Sequence, residues 1–194
     1  FGFEKAYGSY KELLDDPEEE AVYIALPNTL HYEWAVKAME SGKHVLCEKP
    51  LAPCEKQVKE LFDTAKENHV YLMEAFAYQY SPYIVAIKKE IEVRYIDSAF
   101  ITSDYNKENI RMRRETLGGC TYDLGVYSTS LTLGLLNEEP EKVEASAIFS
   151  EEKIDKLTSV VMEFADGKKA AFTCGMTLAT DQDRRLDRLE IDGT

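Results

Sequence analysis

The first 75 residues alternate short apolar runs with longer segments in which apolar residues recur at helical spacing. The continuous apolar run at residues 21–26 is typical of a strand buried on both faces of a parallel sheet, and further strands are predicted at residues 43–47 and 70–73. The helical faces between them comprise His31, Trp34, Ala35 and Ala38, and Val58, Leu61, Phe62 and Ala65. We predict helix N-caps at Ser9, in a capping box, and at Asn28. Short connections in strand–helix–strand order predict a parallel sheet with right-handed crossovers.

The pattern changes after residue 75, where most strands alternate apolar and polar residues. Strands are predicted at residues 94–102, 143–149, 158–164, 170–176 and 189–191. The Asp166-Gly167 pair predicts a hairpin turn, and helices are predicted from Ser81 and from Tyr122. Few residues and no glycine join the helix ending near Lys89 to the next strand, so we expect residues to be absent there.

The two patterns together predict an α/β protein with two domains. Residues 1–75 form part of a parallel sheet with its helices, and residues 76–194 form an α+β domain with an open, mostly antiparallel sheet. The parallel half begins at what reads as its third or fourth strand, so we expect the chain to be incomplete at its start and at its end.

Charge and cysteine usage narrow the class of protein. The formal net charge of −13 argues against nucleic acid or an anionic membrane as a partner. No apolar run approaches the length of a membrane span, and no signal peptide is recognisable. The four cysteines show no C-x-x-C spacing and the three histidines are far apart, so no metal site is predicted. We predict a cytoplasmic protein with reduced thiols.

The segment Glu48-Lys49-Pro50 carries the strongest chemical signal. An apolar strand that stops at an acid, an amine and a proline places both charges at the carboxyl end of a sheet, where open α/β sheets bind ligands. The proline holds Lys49 in an extended or cis geometry. The alternative is a solvated turn, and taken alone the segment does not decide between the two.

With these segments placed, the sequence resembles the Gfo/Idh/MocA oxidoreductase family. The matching residues are Ser9 to Leu14, Ala25 to Asn28 with His31, Gly42 to Pro50, Glu74 to Phe76, Asn109 to Arg111 and Gly118 to Tyr127. They keep the family's order over nearly the whole chain. The branch of glucose–fructose oxidoreductases and dihydrodiol dehydrogenases is the most similar, since Tyr127 stands where many relatives carry histidine.

The resemblance implies a Rossmann-type dinucleotide-binding domain followed by a substrate-binding and oligomerisation domain. The cofactor implied is NAD or NADP, and the resemblance places Pro27, Asn28, His31, Glu48 and Lys49 beside it. No residues here reproduce the glycine-rich G-x-G-x-x-G fingerprint, and the residue that selects NAD or NADP would precede residue 1. A fragment of a longer protein is therefore the favoured account.

Three residues are the candidates for catalysis. Lys49 can stabilise a developing alkoxide, and Tyr127 can transfer a proton if a nearby ammonium favours its phenolate. Asp123 precedes Tyr127 by four residues, shares its face on an α-helix, and can bind a substrate hydroxyl. The structural alternatives are a core tyrosine, a first-turn helix acid and a solvated lysine. The family's catalytic positions support the first set.

The remaining candidates keep their alternatives as well. Arg111 meets substrate or cofactor, or belongs to a solvated basic loop. Glu48 binds the nicotinamide ribose or only pairs with a lysine. We predict hydride transfer between a sugar, cyclitol or diol carbon and NAD(P), and the alternative is a non-catalytic NAD(P)-sensing protein. The resemblance also implies a homo-oligomer, a dimer or tetramer, assembled through the second sheet.

Overall fold

A computed structural model of the chain describes residues 2, 4–103, 105–178 and 185–194, with the side chain of residue 178 outside the description. The chain divides into two compact units, Phe1–Ala75 and Phe76–Thr194. No helix within the described ranges is both long enough and apolar enough to cross a membrane.

The first unit is a three-stranded sheet with helical crossovers. Its elements are α1 (Tyr10–Asp15), β1 (Ala21–Ile24), α2 (Asn28–Glu40), β2 (His44–Cys47), α3 (Glu55–Glu67) and β3 (Leu72–Glu74). The strand order is β1-β2-β3, and both pairs are parallel, as predicted. Because the order runs in one direction, both crossover helices cover one face, where Val45, Cys47 and Leu61 are buried.

The opposite face of this sheet is exposed in the part of the chain that the structure describes. Tyr23, Leu46 and Met73 lie in register across the three strands and are 58%, 37% and 41% exposed. The expectation that the first strand is buried on both faces is therefore wrong at Tyr23, because both crossover helices lie on the other side of the sheet.

Helix ends follow the sequence signals only in part. The Ser9 hydroxyl accepts a hydrogen bond from the Glu12 N–H at 3.2 Å, which confirms that N-cap. Asn28 is instead the first residue of α2, and Pro27 occupies the N-cap position without a side-chain bond. Phe62 was predicted on the buried face of α3, but it is 53% exposed, while Leu61 and Ala65 form that face.

Within the described residues, the second unit is a five-stranded mixed sheet with two α-helices. Its elements are α4 (Pro82–Glu90), β4 (Val93–Ser103), α5 (Val126–Leu136), β5 (Lys142–Phe149), β6 (Asp155–Glu163), β7 (Lys169–Leu178) and β8 (Arg185–Gly193). The strand order is β5-β6-β7-β4-β8, and among the described residues only the β4–β7 pair is parallel, so the prediction of a mostly antiparallel sheet is confirmed. One face carries a core that includes Ile96, Met162 and Phe172.

Two connections in this unit are tight. The predicted hairpin turn is confirmed, since Asp166 and Gly167 take φ of +56° and +74° between β6 and β7. Only Ile91 and Glu92 join α4 to β4. The Glu92 N–H donates to the carbonyl of Thr194 at 2.8 Å and its carbonyl accepts from the Thr194 N–H at 3.1 Å. Two backbone hydrogen bonds therefore join this short connection to Thr194.

Candidate functional site

The segment around Lys49 follows the carboxyl end of β2, the central strand of the parallel sheet. The Cys47 carbonyl accepts from the Ala75 N–H at 2.8 Å, and the Glu48 N–H donates to the Ile24 carbonyl at 2.9 Å. The Lys49–Pro50 bond is cis, one of the two geometries that the sequence predicted. Hydrogen bonds to both neighbouring strands therefore fix the backbone that leads into Lys49.

Side chains from two other elements hold the backbone after Lys49. His31 on α2 is fully buried, with Nδ1 2.8 Å from the Pro50 carbonyl oxygen and Nε2 2.7 Å from that of Leu26. At the end of β3, Glu74 accepts a hydrogen bond from the Leu51 N–H at 2.8 Å. Burial raises the pKa of the Glu74 carboxyl, while this hydrogen bond and the charges of His31 and Lys49 oppose the rise.

The other candidates of the first unit lie at the same edge of the sheet. Pro27 and Asn28 follow the carboxyl end of β1, and the Glu48 carboxylate accepts a hydrogen bond from the Tyr23 hydroxyl. The structure thus brings Pro27, Asn28, His31, Glu48 and Lys49 to the carboxyl ends of β1 and β2. Glu74 was not among the predicted site residues, although its position at a strand end was a usable signal.

In the second unit, Asp123 lies on a π-helical turn, Thr121–Gly125, that leads directly into α5. The expected α-helix from Tyr122 therefore begins as a π-helix, a feature frequent at functional sites. The Asp123 carboxylate is 14% exposed and accepts a hydrogen bond from Nε of Arg111 at 2.8 Å. The structure thus joins Arg111 and Asp123 in an ion pair.

Two glycines and one carboxylate fix this turn. Gly118 and Gly119 donate their N–H groups to the carbonyls of Arg113 and Arg111 at 2.8 and 2.9 Å. A Cβ at Gly119 would lie 2.0 Å from Oδ1 of Asp155, and its φ is +123°. Oδ2 of Asp155 accepts from the Thr121 N–H at 2.8 Å and the Thr121 hydroxyl at 2.6 Å. Sequence reasoning missed Asp155, since no local motif marks it.

Tyr127 lies in the first turn of α5 within an aromatic cluster. Its ring centroid is 5.7 Å from that of Phe76, 6.3 Å from Tyr78 and 5.8 Å from Phe100. Tyr127 also lines a cavity of 330 Å³, together with Tyr78, Ser128, Arg185 and Arg188. A half-buried phenol at a cavity wall can exchange a proton with a bound hydroxyl.

Buried thiols are poor candidates for chemistry in this fold. Burial, with Glu74 and Glu48 nearby, raises the pKa of Cys47 to about 12. The Cys174 contact at 3.7 Å and burial raise the pKa of the Cys120 thiol as well. Since the thiolate is the nucleophile, neither of these two residues supports covalent catalysis. The described residues contain no cluster of three or more His, Cys, Asp or Glu arranged to hold a metal ion.

Comparison with known proteins finds named dehydrogenases among the relatives of this chain. The trans-1,2-dihydrobenzene-1,2-diol dehydrogenase of Xenopus tropicalis is 34% identical over 182 residues, 91% of this chain and 55% of that protein. The D-xylose 1-dehydrogenase (NADP(+)) 2 of Haloferax volcanii is 34% identical over 176 residues, 87% of this chain and 54% of that protein. The chain thus spans about half the length of the curated relatives it matches.

Solved structures and family models extend the match. A 3-ketoreductase from Actinomadura kijaniata, solved with NADP and TDP-benzene, superposes with a TM-score of 0.83 at 28% identity, covering 96% of this chain and 58% of that one. Residues 1–76 match the model described as an oxidoreductase family with an NAD-binding Rossmann fold. Residues 90–194 match the GFO/IDH/MocA C-terminal domain. The chain therefore belongs to the GFO/IDH/MocA oxidoreductase family.

Proposed function

We propose that the protein transfers a hydride between NAD(P) and a hydroxyl-bearing carbon of a sugar, cyclitol or diol. The observation that carries the proposal is the placement of Lys49 at the carboxyl end of the central parallel strand, on backbone that is hydrogen-bonded on both sides. Relatives named as diol and xylose dehydrogenases support the substrate class. NAD(P), when bound, supplies the hydride acceptor.

Lys49 is proposed to stabilise the oxygen of the reacting carbon as negative charge develops on it. An ammonium donates up to three hydrogen bonds and carries a full charge, so it binds an alkoxide more strongly than an alcohol. Fixed backbone at residues 47–51 lowers the cost of holding the amine in place. Of the neighbouring residues, Pro27, Asn28 and Glu48 are proposed to contact the nicotinamide end of the cofactor.

Tyr127 is proposed as the proton acceptor and donor for the substrate hydroxyl, and Asp123 as a hydrogen-bond acceptor for it. Arg111 holds Asp123 through its ion pair, so its role in substrate binding is to orient that carboxylate. The aromatic rings of Phe76 and Phe100 beside Tyr127 restrict the phenol to few orientations. Restricting a catalytic group before substrate arrives lowers the entropic cost of the reaction.

We also propose that the protein assembles with itself through the open face of the five-stranded sheet. Ile148, Val161 and Leu186 share that face by their register and are 62%, 45% and 44% exposed. Exposed apolar side chains on one sheet face are typical of an interface between copies. Light scattering is expected to give a dimer or tetramer, and a monodisperse monomer would contradict this assembly.

Titration of the protein with NADH and NADPH, followed by a polyol, sugar and diol panel assayed with NAD⁺ or NADP⁺ as the hydride acceptor, tests the proposed activity. We expect one reduced cofactor to bind and at least one alcohol to be oxidised. Tyr127→Phe should lower kcat about 100-fold because it removes the proton-transfer group. Tyr71→Phe, on a tyrosine that is 80% exposed, is the matched control. Cofactor binding without turnover on any panel member would favour a sensing protein instead.

A further inference from the structure

Two consecutive backbone groups after Lys49 are held by side chains from different elements. The Pro50 carbonyl lies 2.8 Å from Nδ1 of His31, and the Leu51 N–H donates to Glu74 at 2.8 Å. His31 reaches the segment from α2, and Glu74 reaches it from the end of β3. The two side chains thus hold the backbone immediately following Lys49 from two directions.

The contacts of His31 are buried, so losing them is costly. His31 is fully buried, and its two ring nitrogens face carbonyl oxygens of Leu26 and Pro50. A neutral imidazole donates only one of these bonds, and both form when both nitrogens carry protons. Glu74 interacts electrostatically with both His31 and Lys49, and the Cys47 thiol interacts with Glu74. Removing either side chain would leave buried backbone groups without their partner, which costs more than an exposed bond.

We infer that His31 and Glu74 are positioning residues that set the orientation of Lys49. This inference rests on the proposed function and deepens it, since it concerns the same amine. His31 therefore acts through the Pro50 carbonyl rather than by touching the cofactor. A displacement of about 1 Å at a catalytic group can cost about 100-fold in rate.

The chain offers a matched control for His31. Nδ1 of His44, the first residue of β2, accepts a hydrogen bond from the Tyr71 N–H at 2.9 Å. It is a histidine bound to backbone of the same sheet, but at the amino end of the central strand, away from Lys49. A general loss of sheet stability would therefore appear in His44→Leu as well, whereas a loss of Lys49 orientation would appear only in His31→Leu.

The test compares His31→Leu, His44→Leu, Glu74→Leu and Glu74→Gln in the protein. Glutamine keeps an oxygen that accepts from the Leu51 N–H, so it should rescue the loss caused by leucine. Readouts are kcat and the cofactor KM, and the NMR signal of Lys49 after reductive methylation with ¹³C-formaldehyde, assigned with Lys49→Arg. His31→Asn, which retains a donor, is measured beside His31→Leu in case the leucine variant does not fold.

We expect His31→Leu and Glu74→Leu to lower kcat about 10- to 100-fold, with the cofactor KM changed less than about threefold. Both should shift the Lys49 signal, whereas His44→Leu should leave it in place and Glu74→Gln should shift it less than Glu74→Leu does. An unshifted Lys49 signal in both leucine variants overturns the inference, as does a Glu74→Gln variant as impaired as Glu74→Leu. Shifted signals in a protein without turnover would support positioning while refuting the proposed activity.

Discussion

The segments that carry Lys49 and Asp123 are held in place by different means. Residues 47–51 contain no glycine, and hydrogen bonds from neighbouring strands and from the side chains of His31 and Glu74 hold them. The turn that carries Asp123 depends instead on close approach of backbone. At Gly118 a Cβ would lie 2.4 Å from the Arg111 carbonyl oxygen, and at Gly119 it would meet Asp155.

In both segments, nevertheless, a carboxylate accepts a hydrogen bond from a backbone N–H. Glu74 accepts from Leu51 and Asp155 accepts from Thr121, each at 2.8 Å. The two segments therefore differ in what holds them: the first depends on hydrogen bonds, and the second depends on close steric fit around its glycines. Substitutions that keep a hydrogen bond should be tolerated near Lys49, whereas any added carbon should be harmful near Asp123.

Gly119→Ala is the substitution expected to have the largest effect on this contrast. The new methyl would overlap Oδ1 of Asp155 at 2.0 Å, and φ of +123° is strained for alanine. We expect a loss of about 3 kcal/mol or more in the free energy of unfolding, measured by urea denaturation. Gly42→Ala is the control, since its φ is +75° with no atom within 4 Å, and it should cost about 1 kcal/mol. Equal losses at the two positions would refute steric fit as the cause.

Arg111→Leu is expected to have an intermediate effect. It leaves the Asp123 carboxylate, 14% exposed, without its 2.8 Å partner. Since Arg111 is itself 39% exposed, we expect a loss of about 1–2 kcal/mol rather than the larger cost of a fully buried pair. In the exposed Arg94–Glu92 pair, Arg94→Leu should cost below about 0.5 kcal/mol. Thermal unfolding of both variants measures the stability that each has lost. Equal losses would show that the Arg111–Asp123 pair contributes no more than an exposed surface pair.

The pH dependence of Glu74 is the smallest expected effect. Because burial raises its pKa in the folded state, its contribution to stability is greatest below the unfolded value of about 4.3. That contribution is lost as pH rises through the raised folded pKa. The stability of the wild type relative to Glu74→Gln should therefore decrease as pH increases, measured by urea denaturation at several pH values. A relative stability that increases with pH would contradict the direction of this shift.

Sequence patterns predicted the strands and the Lys49 segment well, because periodicity and strand-end chemistry are local. They did not predict the π-helical turn at Asp123, since its glycines are required by contacts with Arg111 and Asp155, residues distant in sequence. The exposed positions of Phe62 and Tyr23 were missed for a related reason. Apolar character predicts burial only when a neighbouring element covers that face, and helical spacing alone does not show which element does.

The contacts of His31 and Glu74 could not be predicted from the sequence either. A lone histidine at helical spacing gives no indication that it contacts the Pro50 carbonyl, 19 residues away. Glu74 follows an apolar strand, so its placement at the sheet edge was predictable, but its hydrogen bond to Leu51 depends on the path of the connection after Pro50. The sequence pattern therefore predicted where these residues lie, but their hydrogen-bond partners could be identified only from the fold.

The measurement that most directly tests the account is hydride transfer by Lys49→Met in protein that still binds cofactor. We expect kcat to fall about 1,000-fold while cofactor affinity changes less than about threefold, because the amine is proposed to act on the developing alkoxide. Lys56→Met, whose side chain is 83% exposed, is the control and should retain full activity. Undiminished hydride transfer by Lys49→Met would contradict the central role assigned to this residue.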